Sequence, residues 1–173
     1  MKHFAFLLLI LVFFTACKST APIVTSKKLD HKNEKSTKSE KRKANRLAEE
    51  LIDVAAENLG VKYKYGGTTK AGFDCSGLMY AIFDSHNITL PRNSYQQSKI
   101  GAVINTKREE AQKGDLIFFK TNKNPQINHV GIVIEVNDGE IKFIHSSTSK
   151  GVIISSTKEP YYKNTFVQLN RVL

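Results

Sequence analysis

The sequence predicts an α+β domain with its helices ahead of its strands, and three observations carry that prediction. Helical periodicity is confined to residues before about 100. Runs rich in β-branched residues then follow from about Asp115 to Leu173. Asn137-Asp138-Gly139 joins two of those runs directly, as an antiparallel hairpin does, with no crossover helix between them. Helices followed by strands, rather than alternating with them, argue against a parallel α/β sheet.

Taken in order, the chain of 173 residues opens with Lys2 and His3 and an unbroken apolar run from Phe4 to Phe14. The run is too short to span a membrane and fits the apolar centre of a signal peptide, so residues 1–16 are set apart from the fold. The junction Phe14-Thr15-Ala16-Cys17 resembles the lipobox of bacterial lipoproteins. That resemblance implies cleavage before Cys17 and acylation of its thiol and amine. From Lys18 to Lys43 the sequence is mostly Lys, Ser, Thr, Glu and Asn. It lacks the apolar content to form a core, and a disordered linker over 17–43 is expected, with a reach of about 25 to 30 Å. The formal charge is +10, with about half the excess in residues 18–50. A basic tether accounts for it, and nucleic acid is not an expected partner.

The domain-sized remainder, residues 44–173, begins with Ala44, Leu47, Ala48, Leu51, Ile52, Ala55 and Leu59 on one helical face, closed by Gly60. Asp74 is a good N-cap for a second helix carrying Leu78, Met79, Ile82 and Phe83 on one side. A short helix is expected near Ser94 to Ile100. Five strands are expected at about 115–120, 129–136, 140–146, 152–156 and 166–173.

Cys75 and Cys17 are the two cysteines of the chain. A cysteine without a partner in an exported protein marks a reactive thiol or an intermolecular bridge. Cys75 falls in the first turn after Asp74, where free N–H groups and the helix dipole favour a thiolate and a lowered thiol pKa. A nucleophilic thiol needs a base. Of five histidines, His3 lies in the signal, His31 in the linker and His86 in a polar stretch suited to a loop or cap. His129 and His145 remain, one at the start of a strand and one at the end of the next. With a three-residue loop ending in left-handed Gly139, Val136 pairs with Glu140, and His145 lies opposite Gly131 on the same face as His129. A two-residue Asp138-Gly139 loop would instead put the two imidazoles on opposite faces.

The segment Tyr63-Lys64-Tyr65-Gly66-Gly67 through Gly72-Phe73-Asp74-Cys75-Ser76-Gly77 closely resembles the catalytic segment of the NlpC-type cell-wall cysteine peptidases. Within them it looks most like the Spr murein endopeptidase lipoproteins. Leu90-Pro91-Arg92-Asn93-Ser94, Gly114-Asp115-Leu116-Ile117-Phe118-Phe119, Asn128-His129-Val130-Gly131-Ile132 and Phe143-Ile144-His145-Ser146-Ser147 match the same family in order. The resemblance covers about residues 46–173 and implies a papain-like fold, with N-terminal helices packed on a C-terminal antiparallel sheet. By position it makes Cys75 the nucleophile, His129 the general base and acid, and His145 the polar residue orienting His129. It also implies an oxyanion role for Tyr63 beside the Cys75 N–H, and substrate contact for Asp74 and Ser76, although N-capping explains Asp74 equally well.

The implied reaction is cleavage of peptidoglycan peptides, with the D-alanyl to meso-diaminopimelate crosslink favoured. The bond between γ-D-glutamate and the diamino acid is the alternative, followed by a wall amidase or acyl transferase and a non-catalytic wall-binding lipoprotein. No metal or other cofactor is expected, because Cys75, His129 and His145 lack the close ligand pairs of a metal site. The expected protein is a monomer held to a membrane of the cell envelope through Cys17. Lys18 after that cysteine favours the outer membrane where there are two.

Overall fold

A computed structural model describes residues 27–104 and 110–173, with side chains from residue 37 onward. The expected signal peptide and Cys17 lie outside the described residues. Helix α1 (Lys27–Ala56) starts within the segment expected as disordered linker. Residues 37–43 are exposed, and Ala44 is the first partly buried position. A lack of apolar residues shows that a segment cannot pack; it does not prevent a helix. Lys and Glu are good helix formers, and extending a helix already nucleated by a packed turn costs little. As a helix, residues 27–43 span about 25 Å.

Leu51 and Ala55 are fully buried on the apolar face of α1. The chain then turns at Gly60, whose N–H donates to the Val152 carbonyl, and forms the two-residue strands β1 (Thr68–Thr69) and β2 (Gly72–Phe73). Helix α2 (Cys75–Asp84) follows at once, capped by Asp74. Helix α3 covers Ser94–Gln97, shorter than expected, and Gln97 donates to the Ser76 and Pro91 carbonyls, clamping the first turn of α2.

The remaining elements are β3 (Ala102–Ile104), β4 (Leu116–Phe119), β5 (His129–Asn137), β6 (Glu140–Ser147), β7 (Gly151–Ser156), α4 (Pro160–Thr165) and β8 (Phe166–Arg171). They make an antiparallel sheet in the order β3-β8-β4-β5-β6-β7. The five expected strands are all present. The sixth, β3, is a three-residue edge strand on β8, too short and too exposed to leave a pattern in the sequence.

Alternation along the strands divides the core between the two faces of the sheet. Leu116, Phe118, Val130, Ile132 and Ile144 face α2, against Leu78, Met79, Ile82 and Phe83. Ile117, Phe119, Val133, Phe143 and Leu169 point the other way and pack with Tyr162 of α4.

The β5–β6 turn differs from the sequence expectation. Asn137 pairs with Glu140, so the loop is the two-residue Asp138-Gly139, with both residues at positive φ. Taken alone, that turn would set the two histidines on opposite faces. A bulge between Val133 and Glu135 shifts the register back, and Ile132 pairs with Ile144 beyond it. The extra residue expected in the turn is thus inserted in the strand, and the histidines return to one face.

Candidate active site

Cys75 opens α2 because Asp74 ends the preceding strand and caps the helix. The Asp74 carboxylate accepts from the Gly77 N–H at 2.7 Å and the Gly66 N–H at 2.8 Å. Arg92 grips both its oxygens, at 2.9 and 2.7 Å, and also reaches the Ser76 hydroxyl at 3.1 Å. Ser76 in turn donates to Asp74 at 3.3 Å. Burial raises the Asp74 pKa, but Arg92, Gly77 and Gly66 outweigh it, and the carboxyl sits below its ordinary value. The turn and the helix approach so closely that a Cβ on Gly77 would lie 2.0 Å from the Gly67 carbonyl oxygen, so only glycine fits there.

The thiol lies at the end of the sheet. Cys75 Sγ is 3.9 Å from the carbonyl oxygen of Asn128, the residue before His129. Asn128 is itself fixed, its side-chain oxygen accepting from the Thr121 N–H at 2.8 Å. Cys75 belongs to the core on the α2 face, whereas the His129 ring meets Phe119 on the opposite face. The thiol and the His129 imidazole therefore flank the start of β5 from different faces.

His129 Nε2 is 2.9 Å from His145 Nδ1, with the rings nearly perpendicular. That contact engages Nε2 and leaves Nδ1 as the second ring nitrogen of His129. Gly131 makes room for the pair, since a Cβ there would stand 3.1 Å from the His145 Cβ. His145 has no exposed surface and sits against Phe143 and Tyr162. Its Nε2 lies 3.0 Å from the Ser155 hydroxyl and 3.1 Å from the Tyr162 hydroxyl. Burial pushes both imidazoles down, His129 to about 4 and His145 to about 3, the latter also disfavoured by charge on His129. Both are neutral near pH 7.

The thiol departs from the sequence expectation. Burial raises the Cys75 pKa to about 11, and the Asp74 carboxylate adds to the rise, outweighing backbone N–H contacts that act the other way. A helix start lowers a thiol pKa where solvent or a cation supports the thiolate. Here the N-cap is an anion and the sulfur is buried.

Tyr63 lies beside β2, bridged to Phe73, and is half-buried. Its hydroxyl pKa is raised by burial and then by the charge of Cys75. Tyr63, Asp74, Cys75, Ser76, Arg92 and Asn128 line one cleft of about 370 Å³. A second, of about 490 Å³, lies on the other side of the histidines between the β6–β7 turn and α4. The structure thus groups Cys75, Tyr63, Asp74 and Ser76 around one cleft and His129 with His145 at the other, the two sets meeting through Asn128, whose carbonyl lies 3.9 Å from the Cys75 sulfur and which precedes His129. Sequence reasoning gave no role to Arg92, Ser155 or Tyr162. Arg92 stood within a recognised block, but no sequence signal marked the other two.

Residues 60–171 match the NlpC/P60 family. The chain is 40% identical over 124 residues to the murein DD-endopeptidase MepS/murein LD-carboxypeptidase of Escherichia coli (strain K12), covering 71% of this chain and 62% of that protein. It is 37% identical over 128 residues to the γ-D-glutamyl-L-lysine dipeptidyl-peptidase of Bacillus cereus, covering 73% of this chain and 37% of the relative. This chain therefore spans about three fifths of the first relative's length and less of the second. Among solved structures, an NlpC/P60 family protein from Bacillus cereus superposes with a TM-score of 0.64 at 37% identity, over 73% of this chain and 40% of that one.

Proposed function

The chain belongs to the NlpC/P60 family of cysteine peptidases, and on that premise we propose that it is a peptidoglycan endopeptidase acting through Cys75, His129 and His145. The observation that carries the reading is the His129 to His145 contact of 2.9 Å at the start of β5, together with a buried free thiol at a helix start that lies 3.9 Å from the carbonyl of Asn128, the residue before His129. His129 Nδ1 takes the thiol proton as sulfur attacks the scissile carbonyl. The Cys75 N–H and the Tyr63 hydroxyl stabilise the oxyanion. As the C–N bond breaks, His129 returns that proton to the leaving amine, and a thioester remains on Cys75. Water, deprotonated by His129, then cleaves the thioester, and the proton goes back to the thiolate. Asp74 and Ser76 shape the acyl side of the cleft.

The preferred bond is the D-alanyl to meso-diaminopimelate crosslink, in keeping with the relative of 40% identity named as a DD-endopeptidase. Cleavage after γ-D-glutamate is the second reading, supported by the relative named as a γ-D-glutamyl-L-lysine dipeptidyl-peptidase. The protein is envelope-associated. It is exported by residues 1–16, lipidated at Cys17 and held at a membrane, the outer one where two exist, with residues 17–43 as spacer and 44–173 as the peptidase domain. Mass spectrometry of peptidoglycan treated with the full chain in detergent, wild type beside Cys75→Ser, tests the reaction. Conversion of crosslinked dimers to monomers by the wild type alone is expected. Stems shortened after glutamate would support the second reading, and products common to both proteins would refute the thiol mechanism. Membrane fractionation of Cys17→Ala tests the anchor, with release expected.

A further inference from the structure

We propose that Ser155 and Tyr162 are positioning residues that set the tautomer of His145, and through it the direction in which His129 can carry a proton. The inference rests on the assignment of His129 as base. To accept the thiol proton, His129 must hold a bare Nδ1, so its own proton sits on Nε2. That N–H then has to meet a lone pair, and the atom 2.9 Å away is His145 Nδ1. His145 therefore carries its proton on Nε2, and a buried N–H of that kind needs an acceptor.

Two hydroxyl oxygens stand there, Ser155 Oγ at 3.0 Å and Tyr162 Oη at 3.1 Å. Ser155, His145 and Tyr162 are all buried, which makes an unmet N–H costly. The same arrangement holds after proton transfer: imidazolium His129 still donates from Nε2, and His145 still passes its own N–H to the hydroxyls. The Nε2 protons of both imidazoles thus point away from the thiol, and neither moves from one ring to the other. Ser155 comes from β7 and Tyr162 from α4, so the third member of the site is held by two elements that touch neither the thiol nor the cleft beside it.

Either hydroxyl alone satisfies one N–H, so removal of both is the informative change. The measurement is isotope-labelled imidazole NMR on the full chain in detergent, with kcat and KM from peptidoglycan digestion. Wild type is expected to show His129 and His145 protonated on Nε2 and bare on Nδ1. Ser155→Ala and Tyr162→Phe singly should keep that form and lose less than about threefold in kcat. The double variant should populate the Nδ1-protonated form of both rings and lose about tenfold or more in kcat, with KM changed less than about twofold.

A wild-type His145 protonated on Nδ1 overturns the proposal without any variant, so it stays testable if the double variant does not fold. Wild-type tautomers in the folded double variant overturn it also, whatever happens to kcat. Absence of any peptidoglycan cleavage would count against the proposed activity, while the spectra would still decide the tautomer.

Discussion

The thiol wall and the imidazole wall of the candidate site, each facing its own cleft, are built from opposite chemistry. On the thiol wall, Asp74 and Arg92 form an ion pair whose charges are taken up by each other and by the Gly66 and Gly77 N–H groups. On the imidazole wall, His129, His145, Ser155 and Tyr162 are neutral and packed among Phe119 and Phe143. Neither wall favours the ionised pair. Burial and then the Asp74 carboxylate raise the thiol, and burial lowers both imidazoles. A resting Cys75 thiol and a neutral His129 follow, and the proposed mechanism then confines ionisation to the moment the substrate carbonyl receives the sulfur. The charged wall is a frame for the helix start, and the neutral wall is the part to which the proposed mechanism assigns the protons.

The largest effects should come from the atoms that exchange the proton. Cys75→Ser and His129→Ala are each expected to lower kcat by about a thousandfold or more in a peptidoglycan digestion assay. His145→Ala should cost about ten- to a hundredfold, because it removes orientation and leaves the base. Equal losses for His129 and His145 variants would mean that His145 does more than orient.

The neutral resting pair has its own signature in thiol alkylation. With a thiol pKa near 11, the rate at Cys75 should climb about tenfold per pH unit between pH 7 and 10. A preformed thiolate would instead give a plateau from neutral pH downward, and such a plateau would break the contrast between the walls.

Stability should report the same asymmetry. The histidine pKa values fall on folding from 6.5 to about 4 and about 3, so unfolding near pH 5 takes up protons at both sites. Their stabilisation is complete above about pH 6.5 and is lost as pH falls through the folded values. Two protons correspond to about 3 kcal/mol per pH unit. Cys75 has the opposite sign: its contribution is present below pH 9 and is lost as pH rises toward about 11. Denaturant unfolding across pH 4 to 10 should show both limbs. His145→Gln should roughly halve the acid slope, and an unchanged slope would show that His145 is not held neutral.

Most of the thiol wall was legible in the sequence, because Asp74, Cys75, Ser76 and Gly77 are consecutive and a helix cap is a local device. The pairing of His129 with His145 was readable only through strand register. A three-residue loop and a two-residue turn with a bulge after Val133 put the histidines on the same face, and the bulge leaves no mark in the sequence that distinguishes it from the longer loop. The direction of the Cys75 pKa was missed for a different reason. A helix start is visible in sequence, but the burial of the sulfur is a tertiary fact. Tyr162 and Ser155 were invisible, being ordinary residues of α4 and β7 until the fold closes over His145.

The smaller effects lie on the charged wall. Arg92→Met leaves the Asp74 carboxylate without its main partner, and, with Arg92 38% exposed, a loss of about 1 to 2 kcal/mol in unfolding free energy is expected. Ser76→Ala should be smaller still, about 0.5 to 1 kcal/mol, since it removes one bond to Asp74 and one from Arg92 while the bidentate pair persists. This last variant separates frame from subsite. A Ser76 that only braces Asp74 leaves KM for peptidoglycan within about twofold, because the thiol and the cleft floor stay where Gly77 and Arg92 hold them. If Ser76 also bonds substrate, the same variant raises KM by about tenfold with the same small loss of stability, since a lost hydrogen bond to a bound peptide is worth about 1.4 kcal/mol. The ratio of the two changes therefore tells whether the charged wall meets the substrate or only supports the residue that does.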